Sequence, residues 1–360
     1  MTDERQALDA SRQASGRAPY IPLLIGCTAV LALTIMAAAG IGSVHYSLSS
    51  VATALRHGPP DLSPTAPEPD PVVLTVWTFR IPRILLAAVA GACLAAAGVA
   101  FQALLRNDLA DPYVIGVSGG ASVGIEAVLL RHGETWLYGF GAPISGFVTA
   151  AIALTFVYAM ARRGGRIDIP SLLLGGVVIS SVLGAVSMLL LQLGHSDDAM
   201  HVMNRLMGSF ADATTEQAGI VALFLFLGLA ALLTQSRSMD MMSLGEDTAQ
   251  QLGVDVDRFK TTLIVLGAVL TAATVAMAGI VGFVGLIVPH VARRLTGTPL
   301  HSRVIPIAAL VGAILLVWAD TAARSIMPDG REIPVGVITS FLGGPFFLVL
   351  LRRGGARRAT

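Results

Sequence analysis

The amino-acid sequence predicts an all-α, polytopic membrane protein with about ten transmembrane helices. Of its 360 residues, 54% are hydrophobic and only 13% are charged, and the mean hydropathy is +0.73. The apolar residues form runs long enough to cross a bilayer, which takes about 20 residues per helix. The basic residues collect between the runs, where a positive-inside bias fixes the topology.

The apolar runs define the membrane-spanning elements in order. They are Tyr20–Val44, Ile84–Leu105, Tyr113–Leu130, Thr135–Ala161, Ile169–Leu193, Gln217–Gln235, Thr261–Ala292, Val304–Ala319 and Ile333–Leu351. The run Thr261–Ala292 is too long for one span and short for two. Two spans, hinged near Gly279–Gly282, place both termini and most basic residues in the cytoplasm. We therefore expect ten helices, with a short or tilted eighth span around Val281–Leu295.

This topology divides the chain into three regions. Residues 1–19 form a cytoplasmic tail, residues 20–351 the ten-helix transmembrane domain, and residues 352–360 a basic cytoplasmic tail. Within the membrane domain, residues 45–79 and 194–216 are outer loops and residues 235–260 are cytoplasmic. The Pro-rich stretch Ser63–Pro71 predicts an extended surface segment.

Composition excludes several function classes. The single lysine, Lys260, is preceded by Phe259 and followed by Thr261, so a phosphate-binding Walker A loop cannot exist here. ATP chemistry must therefore come from another chain, and we expect neither catalytic residues nor a cofactor in this one. A net charge of +1 gives no basic field for nucleic acid. Cys27, Cys93 and the scattered histidines show no metal-ligand spacing, so no metal site is expected.

A polar insert, Gln235–Lys260, interrupts the apolar sequence. Its centre, Ser243–Gly253, predicts one short helix, because Ser243 and Glu246 form an S-x-x-E capping box and Gly253 supplies a stop signal. A rigid polar helix between two spans suggests a surface on which a soluble partner pushes.

Two features of the third span are candidates for function or packing. Gly116, Gly120 and Gly124 recur every four residues, which favours a close helix-packing face. Glu126 is an ionisable residue in an apolar run, and such residues are functional candidates by default. It could instead lie near the outer interface or pair locally.

Charged and apolar residues at the outer side suggest contact surfaces. Arg80 and Arg83 open the second span, and Arg324 ends the ninth. The three guanidinium groups could receive carboxylates of a docking protein. For Arg324 the alternative is an intrahelical pair with Asp320. The segment Ser196–Glu216 predicts a surface helix with an apolar stripe of Met200, Met203, Met207 and Phe210. This stripe suits either core packing or the lining of a substrate cavity.

Five sequence blocks, in order, resemble a known family. They are RIPRILLAAVAGACLAAAGVAFQALLRNDLADPYVIGVSGGASVG, SLGEDTAQQLGV, AGIVGFVGLIVPHVARRLTG, ADTAARSI and EIPVGVITSFLGGPFFLVLLRR. From about Arg80 to Leu351 the chain is similar to the permease subunits of ATP-binding-cassette importers for iron-siderophore complexes, haem and vitamin B12.

The resemblance implies a type II ABC importer permease fold in the cell inner membrane. It also implies a homodimer with the pathway between subunits and two cytoplasmic ATPase subunits that carry ATP and Mg. An external substrate-binding protein, periplasmic or lipid-anchored, would complete the assembly.

The resemblance also assigns residues. The segment in the ATPase cleft would be Leu244, Gly245, Glu246, Ala249, Leu252 and Gly253. The positions that receive the binding protein would be Arg80, Arg83 and Arg324, and the cytoplasmic gate would be Asn107, Leu109, Asp168 and Ile169. Asp108 departs from the family, which usually has Pro at this position, and this puts the geometry of the gate turn in doubt.

We therefore expect an importer permease for an iron chelate, either a siderophore or haem. Cobalamin is the alternative within the family. A proton-coupled secondary transporter that uses Glu126 is a distant alternative, since intramembrane charges are scarce. A passive channel lacks rings of charge or a carbonyl filter.

Overall fold

The computed structural model describes residues 20–42, 44–61, 63, 68–133, 136–194, 202–203, 205–327 and 332–358. The predicted tail 1–19, the last two residues and residues 64–67 of the Pro-rich stretch lie outside the described residues. The same holds for the first part of the predicted surface helix, residues 196–201.

The described chain is almost entirely helical. The helices are α1 Tyr20–Gly40, α2 Leu48–His57, α3 Pro71–Leu105, α4 Val117–His132, α5 Gly141–Ala161, α6 Ile169–Leu193, α7 Thr215–Met242, α8 Glu246–Gln251, α9 Val256–Ala278, α10 Val284–Thr296, α11 His301–Ala323 and α12 Val335–Arg358. Helix α3 contains one π-helical stretch, Thr75–Arg80. Short 3-10 turns occupy Pro112–Ile115 and Trp136–Gly139, and β1 Arg162–Arg163 pairs antiparallel with β2 Arg166–Ile167.

Among the described residues, seven helices are long and apolar enough to cross a membrane: α1, α3, α5, α6, α7, α9 and α11. The shorter α4 and α10 and the apolar part of α12, Val335–Leu350, complete the predicted set of ten. Helix α10 has 13 residues, about 20 Å, which is less than the roughly 30 Å of a hydrocarbon core. The expected short eighth helix is therefore present.

The predicted hinge lies between α9 and α10. Gly279 has φ +73°, and Phe283 is left-handed with φ +68°. A left-handed residue cannot continue an α-helix, so the chain breaks here. The expected break near Gly279–Gly282 is confirmed.

Several helices extend beyond the apolar runs. Helix α3 begins at Pro71, where the Asp70 carboxylate accepts a hydrogen bond from the Val72 amide. The predicted outer loop 45–79 is therefore wrong in its bounds, since it contains α2 and the first turns of α3. Helix α7 likewise runs past Gln235 to Met242. Hydropathy marks the part of a helix in lipid, whereas caps decide where the helix ends.

Helix α3 is the centre of the bundle. In its most apolar 18-residue window 89% of the residues are buried, against 17% for α6. A Cβ on Gly91 would lie 2.2 Å from the Gly312 carbonyl oxygen of α11, and one on Gly98 would lie 2.1 Å from that of Gly285 in α10. Glycine allows these backbones to touch. The largely exposed α6 faces lipid or another chain.

The bundle has two ends, named here for use below. The coupling end is where α7 ends, α8 lies and α9 begins. The far end is where α1 and α11 end and α3 begins.

Candidate coupling, gate and docking sites

The coupling segment is shorter than the sequence indicates. Helix α8 has six residues, Glu246–Gln251, and is joined to its neighbours through Gly245 with φ +115° and Gly253 with φ +88°. The Gly253 amide donates to the Gln250 carbonyl. Gly253 therefore ends the helix as expected, but the predicted helix Ser243–Gly253 is too long.

The predicted capping box is wrong. Ser243 caps the C-terminus of α7, and its hydroxyl donates to the Asp240 carbonyl at 2.6 Å. Helix α8 has Gly245 at its N-cap position, with no side-chain cap. The Glu246 carboxylate bonds Lys260 instead, because a buried ammonium group needs a counterion more than an exposed amide needs a cap.

The surface of α8 has one anchored and two exposed apolar positions. Ala249 is fully buried, whereas Leu244 is 65% exposed and Leu252 is 56% exposed. Large exposed leucines on both sides of a short helix suit a partner surface. The ATPase-coupling role of these residues stays a prediction.

Helix α8 is held firmly to the membrane helices. Lys260 Nζ, on α9, donates to Glu246 Oε2 at 2.8 Å and to the Ile167 carbonyl at 3.3 Å. Arg106, at the end of α3, lies 3.9 Å from the same carboxylate. A displacement of α8 would therefore be transmitted to α3, α9 and the β-hairpin.

A second contact holds the end of α7. The imidazole Nδ1 of His301 lies 2.6 Å from Asp240 Oδ1, and the His301 amide donates to the same oxygen at 2.9 Å. The last turn of α7 is thus fixed to the start of α11.

A cavity of about 700 Å³ lies between α8, the end of α3, β2 and the start of α6. Glu246, Lys260, Asp168 and Ile169 line it. The Asp168 carboxylate caps α6 by accepting from the Ser171 amide at 2.9 Å. Two of the predicted gate residues are therefore brought together with the coupling helix.

The other two gate residues belong to a separate turn after α3. The side-chain oxygen of Asn107 accepts from the Leu109 amide at 3.0 Å, and neither residue lines the cavity. The Ala110 amide donates to the Asn107 carbonyl at 3.1 Å, which makes Asp108 the second residue of a β-turn. Proline is favoured at that position. The turn therefore keeps a form that would also accept the family residue.

Asp108 adds an ion pair that Pro could not make. Its Oδ1 lies 3.3 Å from Arg293 Nη2 on α10. The Arg293 guanidinium also donates twice to Gln102 Oε1 on α3, each at 2.7 Å. The gate turn, α3 and α10 are linked through this one side chain.

The next residues attach the gate turn to the α9–α10 break. The Asp111 carboxylate accepts from the Tyr113 amide at 2.9 Å, and burial raises the pKa of Asp111 to about 6. The Tyr113 hydroxyl donates to the Val281 carbonyl at 3.0 Å and accepts from the Val281 amide at 3.2 Å.

The three predicted docking arginines are buried at the far end. Arg80 is 5% exposed, and Arg83 and Arg324 are each 7% exposed. Arg83 bonds Asp320 and Glu332, while Arg324 Nη2 donates to the Ala38 carbonyl at 2.6 Å. The three guanidinium groups are therefore paired internally and are not exposed at the surface, because buried charges take internal partners. Their docking role stays a prediction.

The guanidinium group of Arg80 donates its hydrogen bonds to backbone carbonyls at and just after the end of α1. It donates to the Ala39 carbonyl at 2.6 Å and to the Val44 carbonyl, and its guanidinium lies 4.7 Å from the centre of the Tyr46 ring. The Arg324 Nε lies 3.7 Å from Asp320 Oδ2. The predicted pairing of Arg324 with Asp320 is present, but Asp320 hydrogen-bonds Arg83 instead.

The glycine series in α4 has two roles. A Cβ on Gly120 would lie 2.7 Å from the Thr149 carbonyl, and one on Gly124 would lie 2.1 Å from Thr149 Oγ1, so both pack against α5. Gly116, with φ +81°, precedes the helix and faces α6. The predicted packing face is confirmed for the two helical glycines.

Glu126 is fully buried between α4 and α6. The Ser187 hydroxyl donates to Glu126 Oε1, while Oε2 has no hydrogen-bond partner among the described residues. The local pairing expected as one alternative is the contact observed.

Met203 and Met207 are half exposed. Met207 lines an apolar cavity of about 580 Å³ together with Leu206, Ile280, Val337 and Phe341. The structure assigns Met207, and not Met203, to a cavity wall. Phe210 of the same stripe is buried in the core.

Sequence reasoning missed two ionic partners. It identified Lys260 as the single lysine but not as the counterion of Glu246, and it quoted Glu332 only within EIPVG. An ionisable residue beside a long apolar run signalled the buried position of Lys260. Glu332 carried no such signal, and its side chain is 39% exposed.

The comparisons with known proteins agree with this architecture. Residues 30–353 match the model of the FecCD transport family. The cobalamin import system permease protein BtuC of Halobacterium salinarum is 40% identical, over 79% of this chain and 75% of its own length. The Fe(3+)-citrate import system permease protein YfmE of Bacillus subtilis is 35% identical, over 93% and 95%.

A solved structure shows the same fold. An inward-facing structure of the metal-chelate type of ABC transporter has a TM-score of 0.78 and 30% identity, over 93% of this chain and 99% of that one. Its match spans nearly the whole bundle described above. This chain belongs to the FecCD transport family and is a multi-pass permease subunit of an ABC importer, not itself an enzyme.

Proposed function

We propose that this permease moves an iron chelate, a siderophore complex or haem, across the membrane and into the cytoplasm. ATP hydrolysis by separate ATPase subunits, which hold the ATP and Mg, drives the movement. The observation that carries the proposal is the anchoring of α8: an exposed apolar surface at Leu244 and Leu252, joined to α3 and α9 through Glu246. Force applied there would reach the gate turn through α3.

The remaining partners follow from the same reasoning. A second copy of this chain would cover the exposed faces of α6 and α12, where Met188 and Phe341 are each 76% exposed. A substrate-binding protein would dock at the far end, near Arg80, Arg83 and Arg324. The coupling end, with both termini, would face the cytoplasm, in keeping with the positive-inside rule.

The substrate class rests on the relatives. The ferric citrate permease and the metal-chelate type transporter each match 93% of this chain. Cobalamin is the second candidate, favoured by the 40% identity of the cobalamin permease.

Transport into proteoliposomes tests the proposal. The permease is co-reconstituted with its ATPase and its cognate substrate-binding protein, and uptake of ⁵⁵Fe-labelled siderophore, ⁵⁵Fe-haem and ⁵⁷Co-cobalamin is compared. We expect uptake that needs ATP, is blocked by vanadate and is insensitive to an uncoupler. Uptake that survives without ATP but collapses with the uncoupler would instead support a proton-coupled transporter using Glu126. Uptake of cobalamin alone would assign the second substrate.

A further inference from the structure

Every guanidinium nitrogen of Arg83 donates to a carboxylate of this chain. Its Nε donates to both oxygens of Asp320 at 2.9 Å, and its Nη2 donates to Asp320 Oδ1 at 2.8 Å. Its Nη1 donates to both oxygens of Glu332 at 2.8 Å. All three nitrogens are thus occupied by carboxylates of the same chain. An external carboxylate that binds Arg83 through two parallel hydrogen bonds must therefore compete with one of the internal carboxylates.

The two internal carboxylates differ in how easily they could leave. The Asp320 side chain is 1% exposed, whereas the Glu332 side chain is 39% exposed. Removing Asp320 would leave a buried charge unpaired. Glu332 already contacts solvent and can be rehydrated at small cost. Glu332 is therefore the exchangeable ligand of Arg83.

The charge balance favours such an exchange. Among the described residues, Arg83 and Arg324 pair with the carboxylates of Asp320 and Glu332. Arg80 lies near Arg324 and bonds only carbonyl oxygens, so these five described residues carry one positive charge in excess. Among the described residues, the buried Arg324 Nε lacks a hydrogen-bond partner. The cluster can thus attract a further carboxylate before any internal bond breaks.

Room for the displaced side chain is present. Glu332 lines a far-end cavity of about 270 Å³ with Arg205, Ser209 and Asp212. A carboxylate that leaves Arg83 would enter a polar space beside the guanidinium group of Arg205.

Glu332 is also connected to the apolar cavity. It lies three residues before α12, whose first amides are fixed to the segment before α7: Val335 to the Gly208 carbonyl at 2.8 Å and Gly336 to the Met207 carbonyl at 3.1 Å. Met207 and Gly336 line the cavity of about 580 Å³. A change in the contacts of Glu332 would therefore affect the start of α12, where this helix meets the cavity.

We propose that Glu332 is an internal stand-in for the docking carboxylate: an incoming acidic side chain of the binding protein replaces it on Arg83 and thereby loosens the start of α12. The inference rests on the proposed importer function, whose docking step it explains. While the binding protein is absent, Glu332 neutralises Arg83 and holds α12 against residues 207–208. After docking, that hold is released above the apolar cavity.

Binding affinity provides the first test. The permease–ATPase complex in lipid nanodiscs is titrated with its fluorescently labelled cognate substrate-binding protein. Glu332→Gln removes the competing charge, so we expect Kd to fall roughly fivefold, the factor that corresponds to a partly exposed ion pair. Asp212→Asn is the matched control, because Asp212 lines the same cavity but has no contact with Arg83. Its Kd should stay within about twofold of the wild-type value.

Two results would overturn the inference. One is a Kd for Glu332→Gln that is unchanged or higher, in a variant whose melting temperature matches the wild type. The other is an equal gain in Asp212→Asn, which would mean that general surface charge, and not exchange on Arg83, sets the affinity.

Hydrogen–deuterium exchange of residues 332–337 tests the release of α12. In the wild type, docking should speed exchange of these amides at least about threefold, while in Glu332→Gln exchange is already fast and docking adds nothing. Unchanged exchange in a wild-type complex that binds would refute the release. The proposed function has its own readout: wild-type ATP-driven uptake with a null Glu332 result would remove only this inference, whereas absent uptake would remove both.

Discussion

The Nζ of Lys260 lies 2.8 Å from Glu246 Oε2 and joins the coupling helix to the first turn of α9. Lys260 is only 5% exposed, so loss of this partner would leave its ammonium group buried and unpaired. Arg106 adds a second, longer contact to the same carboxylate at 3.9 Å. The pair is thus a rigid joint between the surface that would meet the ATPase and the membrane helices.

Glu246→Lys should uncouple ATP hydrolysis from uptake. The new ammonium group would face Lys260 and Arg106, so repulsion would separate α8 from α9 and from the end of α3. We expect uptake to fall more than about tenfold while the assembled complex still hydrolyses ATP. Glu246→Gln, which keeps a hydrogen-bond acceptor, should lose less. Normal uptake by Glu246→Lys in an intact complex would contradict the coupling role.

Reversing Arg80 and Arg324 to Glu should abolish stimulation of the ATPase by the binding protein. Both guanidinium groups are buried against carbonyl oxygens of the end of α1, so the reversal also removes hydrogen bonds there. Arg324→Lys is the milder companion, since it keeps the charge but not the planar fork. If the double variant folds, judged by its melting temperature, and full stimulation remains, these residues do not belong to the docking site.

Gly124→Ala should destabilise the bundle, because its Cβ would lie 2.1 Å from Thr149 Oγ1 and 2.5 Å from the Ser145 carbonyl. Overpacking of this kind costs about 1–3 kcal/mol. Gly184→Ala is the control, since nothing lies within 4 Å of a Cβ at that position. Thermal melting in nanodiscs should separate the two variants. Equal melting temperatures would show that α4 and α5 do not pack this closely.

Asp108→Pro should be tolerated. The residue holds the second position of a β-turn, where Pro fits, and the ion pair that it loses to Arg293 is largely exposed on the Asp108 side. Exposed pairs contribute about 0–1 kcal/mol. Uptake and melting temperature should therefore stay near wild-type values. A large loss of uptake would show instead that the Asp108–Arg293 pair is part of the gate.

Asp111 should make stability depend on pH. Burial raises its folded-state pKa from 3.8 to about 6, so between these values the folded state binds more protons than the unfolded state. The contribution of this group to the free energy of unfolding therefore increases as pH falls through 6 towards 4, and decreases as pH rises. In Asp111→Asn, which keeps a capping side chain, melting between pH 4 and 7 should be flatter. Identical pH profiles for the wild type and Asp111→Asn would show that the Asp111 carboxyl group is in contact with water.

The prediction of the fold from the sequence succeeded for the membrane-spanning helices, because each needs an apolar run long enough to cross the bilayer. Ile169–Leu193 was given residue for residue, because Asp168 caps its start and the apolar run ends with the helix. The break at Gly279 was found from length and charge. Prediction failed at Ser243, whose S-x-x-E spacing resembles a capping box but whose hydroxyl bonds the preceding turn. A local pattern could not show that the Glu246 carboxylate pairs with Lys260, which lies 14 residues further along the chain.

The sequence by itself determined that the chain crosses the membrane about ten times, that it cannot bind ATP through a Walker A loop and which segment lies between α7 and α9. Apolar length, residue counts and breaks in helices are local properties, so they can be read along the chain. Only the tertiary structure decided the partners of the charged residues. Arg83 and Asp320 are separated by 237 positions, and burial in a common low-dielectric core, which no local pattern encodes, forces them to pair.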